Sequence, residues 1–79
     1  MKPFKRHKFD DNAHPLVRHL FTTMNERRVS KKYLAEKSGV EYSAFAMWQR
    51  NVYLPHLGNI EAALGVLGYE LVVQRRASK

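Results

Sequence analysis

The sequence contains no cysteine, and acidic residues are scarce in it. Without cysteine, neither disulfide bonds nor thiolate zinc sites can stabilise the fold. The 79 residues must therefore form one domain whose core consists of packed side chains alone. A domain of this size buries only about 60% of its unfolded surface, which favours economical helices or support from a partner chain.

A long apolar run and a secretory signal are also missing. The longest apolar stretch, residues 62–73, is interrupted by Gly65, Gly68 and Glu70. It is shorter than the ~18 residues that a membrane-spanning helix needs. The basic N-terminus has no apolar segment behind it of the kind that directs secretion. We therefore expect a cytoplasmic protein that does not associate with membranes.

No catalytic or metal-binding motif is visible. The histidines have no metal-ligand spacing, and His14 and His19 would lie on different faces of a helix. Asp10 and Asp11 fall in a predicted loop, and nothing around them resembles a triad or a paired-carboxylate site. We expect no enzymatic activity, no metal site and no cofactor.

Positive charge is what the sequence has in excess. Lys and Arg together number 14 against 7 for Asp and Glu, so the formal net charge is +7. Such a balance favours a polyanionic partner, and with a membrane disfavoured this means nucleic acid and a nucleoid-associated protein. Residues 1–11 are predicted to be a flexible basic arm that contains Lys2, Lys5, Arg6 and Lys8. The arm is either a solvated tail or a segment that follows DNA phosphates or a minor groove.

Helical periodicity predicts a four- to five-helix, all-α domain over residues 12–68. The first helix covers residues 14–27, begins with Pro15 and has one apolar face: Leu16, Val17, Leu20, Phe21 and Met24. A second helix begins after Ser30 and ends at Gly39, and a third covers residues 42–50. The fourth covers residues 56–67 and faces the core with five side chains: Leu57, Ile60, Ala63, Leu64 and Leu67.

Residues 69–79 follow a different pattern, a short strand and a basic tail that ends in Arg75, Arg76 and Lys79. Tyr69, Leu71 and Val73 alternate with Glu70, Val72 and Gln74, and this period of two with β-forming residues predicts a β-strand. A lone strand leaves its backbone groups unpaired, so it either folds back on its own domain or pairs with a second chain. We favour an antiparallel homodimer contact through four residues: Tyr69, Leu71, Val72 and Val73.

The central segment, residues 30–50, reads as two short helices that meet at a tight turn. Ala35 is small where the second of these helices crosses, and Gly39 supplies the positive φ of the turn. Val40 fills the gap between the two helices. Phe45 and Trp48 lie three residues apart and anchor the later helix to the core, which leaves its opposite face free. A helix held in this way can enter a DNA major groove, which is about 12 Å wide.

The pattern of Leu34-Ala35, Gly39-Val40, Phe45 and Trp48 resembles the helix-turn-helix of phage-repressor (lambda/Cro-like, XRE-type) DNA-binding domains. The resemblance extends over residues 15–68, about two thirds of the chain, and implies a compact lambda-repressor-like fold. Two positions depart from the family pattern. Glu41 replaces the usual Ser or Thr, and it either caps the third helix or reads a cytosine amino group. Asn51 stands where the family often has Gly.

The resemblance also implies which residues contact DNA. Tyr42, Ser43, Ala46 and Met47 match the positions that face base edges. None of them is Arg, Asn or Gln, so specificity would depend partly on apolar contacts and DNA shape. Phosphate contacts are expected from six residues: Lys31, Lys32, Arg50, Arg27, Arg28 and Gln49. Lys32 has an alternative role as solvated surface, and Arg27 and Arg28 as compensation for the helix dipole.

These features predict a sequence-specific transcriptional regulator. By family analogy it is a dimeric autorepressor of a phage or mobile element that binds a palindromic operator. One alternative is a DNA-binding antitoxin that neutralises a toxin partner and represses its own operon. Another is a nucleoid or RNA binder without sequence preference.

Overall fold

A computed structural model describes residues 3–77, and these residues form an all-α domain with four helices. The helices are α1 (Pro15–Arg27), α2 (Lys31–Ser38), α3 (Tyr42–Gln49) and α4 (Leu57–Val66). Their bounds confirm the four predicted helices to within a residue or two. Lys2 of the predicted arm and Lys79 of the predicted tail lie outside the described residues.

The first two helices begin at side-chain caps. His14 precedes α1, and its Nδ1 accepts a hydrogen bond of 3.1 Å from the Leu16 amide, while Pro15 occupies the first helical position. Ser30 caps α2 by accepting from the Tyr33 amide at 3.0 Å. Glu41 precedes α3 without any side-chain capping bond, so the structure gives no support to a capping role for Glu41.

Each of the four helices is followed within two residues by a residue with a left-handed backbone: Arg28 (φ 56°), Gly39 (φ 79°), Asn51 (φ 59°) and Gly68 (φ 88°). After α1, α3 and α4, the amide that follows the left-handed residue donates to a carbonyl five residues earlier, at 2.8–3.0 Å. These bonds satisfy carbonyls that the helix end leaves unpaired. The positive φ predicted for Gly39 is confirmed. Asn51 takes the same left-handed conformation, which asparagine tolerates better than most residues.

The core lies where the four helices meet, and α4 packs chiefly against α2. The anchoring role predicted for Phe45 and Trp48 is confirmed, since these side chains are 0% and 1% exposed. Val40 is buried, as predicted, and so is Leu34. Leu57 was expected to face the core, but that prediction is wrong, because Leu57 is 70% exposed. Leu57 is the first residue of α4, and the buried side chains of this helix, Ile60, Ala63 and Leu64, all lie later in it.

The C-terminal β-strand is not seen in the part of the chain that the structure describes. Tyr69 instead completes the end of α4, because its amide donates to the Leu64 carbonyl at 3.0 Å. Its ring lies against α1, 4.7 Å from the His19 ring and 5.5 Å from the Arg27 guanidinium. Leu71 is half-buried, whereas Val72 and Val73 are exposed. A strand needs a neighbouring strand for its hydrogen bonds, and none of the described residues provides one.

Candidate nucleic-acid interface

Helix α3 is held by one face and exposed on part of the other. The Phe45 and Trp48 rings meet edge to face with centroids 4.9 Å apart, and both are buried. Among the predicted base-contacting residues, Tyr42 is 53% exposed and Ser43 is exposed. Ala46 and Met47 are half-buried. The accessible face thus offers a phenol, a hydroxyl and apolar surface, without a formal charge.

A cleft of about 1020 Å³ opens beside α3, between the N-terminal segment and the beginning of α2. We call it the basic cleft. The cations that line it are Lys5, Arg6, Lys8, Arg28, Lys31 and Lys32. Phe4, Ser30, Tyr42 and Gln49 complete much of its wall, and none of the described lining residues is acidic. Clustered cations without counter-charges produce a positive potential that attracts polyanions.

The N-terminal side of the basic cleft is attached to α1 through Asn25. The Asn25 side chain accepts a hydrogen bond from the His7 amide at 2.7 Å and donates to the His7 carbonyl at 3.0 Å. The His7 ring reaches the Val29 carbonyl through Nε2 at 2.8 Å. Because a carbonyl only accepts, Nε2 must carry the proton of this bond.

A second attachment joins the same segment to α3. The Gln49 carbonyl accepts from the Asp10 amide at 2.8 Å, and the Gln49 side chain donates to the Lys8 carbonyl. Its Oε1 accepts from Lys31 Nζ. Phe9 stacks on the buried Phe21, with centroids 6.1 Å apart. The predicted flexible arm thus has neither helix nor strand over residues 3–10, yet it is bonded to α1 and α3.

The structure places four of the six predicted phosphate-contacting residues in the lining of the basic cleft and two outside it. Lys31, Lys32, Arg28 and Gln49 line the basic cleft. Arg50 is exposed at the end of α3, outside the cleft lining. Arg27 is also outside the cleft lining; its Nη1 donates to the Leu67 carbonyl at 2.6 Å and its guanidinium lies over the Tyr69 ring.

Sequence reasoning missed the residues that attach the N-terminal segment. Asn25 is not part of the apolar face that periodicity assigns to the first helix, yet it is only 8% exposed. The pairing of Asn25 with His7 could not be predicted from residue spacing, because the two residues are 18 positions apart in the sequence. One signal was available, because Phe4 and Phe9 interrupt the basic run, and an aromatic side chain gains by burial.

The described residues, 3–77, contain no group of three side chains suited to holding a metal ion. In the same range, none of the helices is both long enough and apolar enough to cross a membrane. No protein-family model matches the chain, and neither the curated proteins nor the solved structures contain a match to it.

Proposed function

We propose that this protein is a sequence-specific transcriptional regulator that binds double-stranded DNA through the helix-turn-helix formed by α2, the turn at residues 39–41, and α3. The observation that carries the proposal is the placement of α3. Its buried side carries Phe45 and Trp48, and its exposed end, at Tyr42, lines the basic cleft. A protruding helix beside clustered cations fits a duplex, in which base edges lie between two phosphate backbones.

In this arrangement α3 enters the major groove and the cations beside it contact phosphates. Tyr42 and Ser43 reach base edges first, since they lie in the first turn of α3 and are exposed. Met47 and Ala46 supply apolar contact, for which a thymine methyl group is the matching partner. Lys31 and Lys32, in the first turn of α2, approach one backbone together with the amides of that turn.

We further propose that the protein is a homodimer and a phage-repressor-like (lambda/Cro-like, XRE-type) autorepressor of a phage or mobile element. Residues 69–74 have alternating apolar side chains, and Val72 and Val73 are exposed in the single chain. Pairing this segment with its copy in a second chain would supply the missing backbone hydrogen bonds. Two subunits related by a two-fold axis would bind a palindromic operator.

A titration of the isotope-labelled protein with a short random-sequence duplex, followed by NMR, tests the DNA-binding surface. We expect the largest amide shifts at Tyr42, Ser43 and Met47 and at Lys31. The amides of Glu61 and Gly65, which lie on exposed positions of α4, serve as an internal control and should stay unchanged. No shift on α3, or shifts confined to α4, would contradict the proposal.

The antitoxin function remains the second candidate, because an apolar surface follows α3. Val52, Tyr53, Leu54 and Leu57 are each at least half exposed, and large exposed apolar patches often mark protein contacts. If this surface neutralises a toxin, Leu54→Asp combined with Leu57→Asp should abolish rescue of cells from a toxin encoded beside the gene. DNA binding by the same variant should persist. Rescue by the double variant at the wild-type level would exclude this surface as the toxin contact.

A further inference from the structure

We propose that the basic cleft binds the phosphodiester backbone of one DNA strand and that the N-terminal segment is its fixed outer wall. The inference rests on the proposed function, since it takes the bound duplex from there and assigns a second contact to it. It gives the N-terminal segment a defined role, as a preformed phosphate site rather than a loose tail.

The rings of the N-terminal segment attach it to the protein, while its basic side chains are exposed; Phe4 and His7 also line the cleft. Phe4, His7 and Phe9 are half-buried, and their rings lie against one another or against Phe21. The basic side chains between them, Lys5, Arg6 and Lys8, are exposed and line the cleft. The aromatic residues thus fix the segment, and the cations are left facing the space where a polyanion can enter.

The opposite wall is also prepared for phosphate. Lys31 Nζ donates to Gln49 Oε1 and lies 5.9 Å from the Tyr42 ring centroid, so these two side chains hold the ammonium at the beginning of α2. An ammonium has three donors, so Lys31 can keep the Gln49 bond while it donates to a phosphate oxygen. Because Gln49 also donates to the Lys8 carbonyl, one side chain sets the spacing between both walls.

Arg28 provides an independent indication. It adopts a left-handed backbone (φ 56°, ψ 47°) after α1, where glycine would fit without steric cost. A non-glycine residue in this conformation is disfavoured by roughly 1–2 kcal/mol. The Arg28 side chain lines the basic cleft, so this strained position contributes a cation to the cleft.

The cleft shares Tyr42 and Lys31 with the proposed α3 interface, which favours a duplex backbone over a separate single strand. A duplex docked on α3 would extend its backbone past Tyr42 and into the cleft without a second docking event. The walls hold six cations, enough to neutralise several consecutive phosphates. Each neutralised phosphate steepens the dependence of log K on log salt concentration by about 0.9 in duplex DNA.

Two double variants of equal charge test the proposal. Lys5→Ala/Arg6→Ala removes two cations from the cleft, and Arg75→Ala/Arg76→Ala removes two exposed cations outside its lining. Binding of a random-sequence duplex is measured between about 50 and 200 mM salt, a range over which phosphate contacts change affinity strongly. For Lys5→Ala/Arg6→Ala we expect the slope of log K against log salt concentration to be shallower by about 2. Raising the salt from about 50 to 200 mM should therefore reduce the affinity of this variant by a factor about ten times smaller than the factor for wild type. The terminal variant should keep the wild-type slope.

The other outcomes are equally informative. An equal loss of slope in both variants would overturn the proposal, because only the total charge would then matter. An unchanged slope in the cleft variant would also overturn it, because Lys5 and Arg6 would then contact no phosphate. Tighter binding of a single strand than of a duplex of the same length would overturn the duplex assignment. A wild-type protein that binds every duplex equally would refute sequence-specific regulation, yet the slope difference on random DNA would still support the cleft.

Discussion

Substitution of Asn25 by Ala removes the anchor of the N-terminal segment without removing any cation. The Asn25 side chain makes two hydrogen bonds to the His7 backbone, of 2.7 and 3.0 Å, and is only 8% exposed. Each bond contributes about 1 kcal/mol net. Alanine is a better helix former than asparagine by about 0.5 kcal/mol, which offsets part of the loss. The expected destabilisation is therefore about 1.5 kcal/mol, or a fall in Tm of about 6–12 °C for a domain of this size.

Thermal unfolding followed by circular dichroism measures this effect, with Asn59→Ala as the matched control. Asn59 is exposed on α4, so the control makes the same change of residue within a helix but breaks no anchor. Hydrogen exchange at the His7 amide provides a local readout, because this amide should exchange faster in Asn25→Ala. Equal Tm values for the two variants, together with unchanged exchange at His7, would refute the anchoring role of Asn25.

The remaining predictions concern the turn, the interface and the dimer. Gly39→Ala should lower the free energy of unfolding, measured with urea, by about 1 kcal/mol because alanine is strained at a φ of 79°. An added Cβ would meet no atom within 4 Å, so steric contact adds nothing to this cost, and a variant of wild-type stability would contradict the reasoning. Lys31→Ala should weaken binding to every duplex and lower the salt slope by about 1, and a loss restricted to one sequence would count against a phosphate contact. Met47→Ala should change the preference between duplexes by about 1 kcal/mol or more, and an unchanged preference would indicate shape readout. Val73→Asp should give monomers in sedimentation experiments, and a persistent dimer would exclude the C-terminal contact.

Much of the fold could be predicted from local signals. Pro15 and Ser30 mark helix beginnings, Gly39 marks an end, and the spacing of Phe45 and Trp48 identifies the buried face of α3. These signals act over a few residues, so the sequence displays them directly. Arg28 could not be predicted as a left-handed residue in the same way, because arginine, unlike glycine or asparagine, rarely adopts a positive φ.

The candidate site was less predictable, since its geometry depends on long-range contacts. The exposure of Tyr42 and Ser43 follows from helical spacing, but the pairings of Asn25 with His7 and of Gln49 with Lys8 join residues 18 and 41 positions apart. Residue patterns over one or two helical turns cannot predict pairs that are so far apart in the sequence. The predicted C-terminal strand does not form in the single chain for a related reason. Alternation indicates a tendency toward β-structure, but a strand forms only where a neighbouring strand accepts and donates its hydrogen bonds.

Selection of bound sequences from a pool of random duplexes tests the central claim most directly. The account predicts enrichment of one sequence with two-fold symmetry, whose half-sites lie about one helical turn, roughly 34 Å, apart. The enriched sequence should compete against its scrambled version at every salt concentration. A pool that remains random after repeated selection, while the protein still binds DNA, would contradict sequence-specific regulation by this helix-turn-helix.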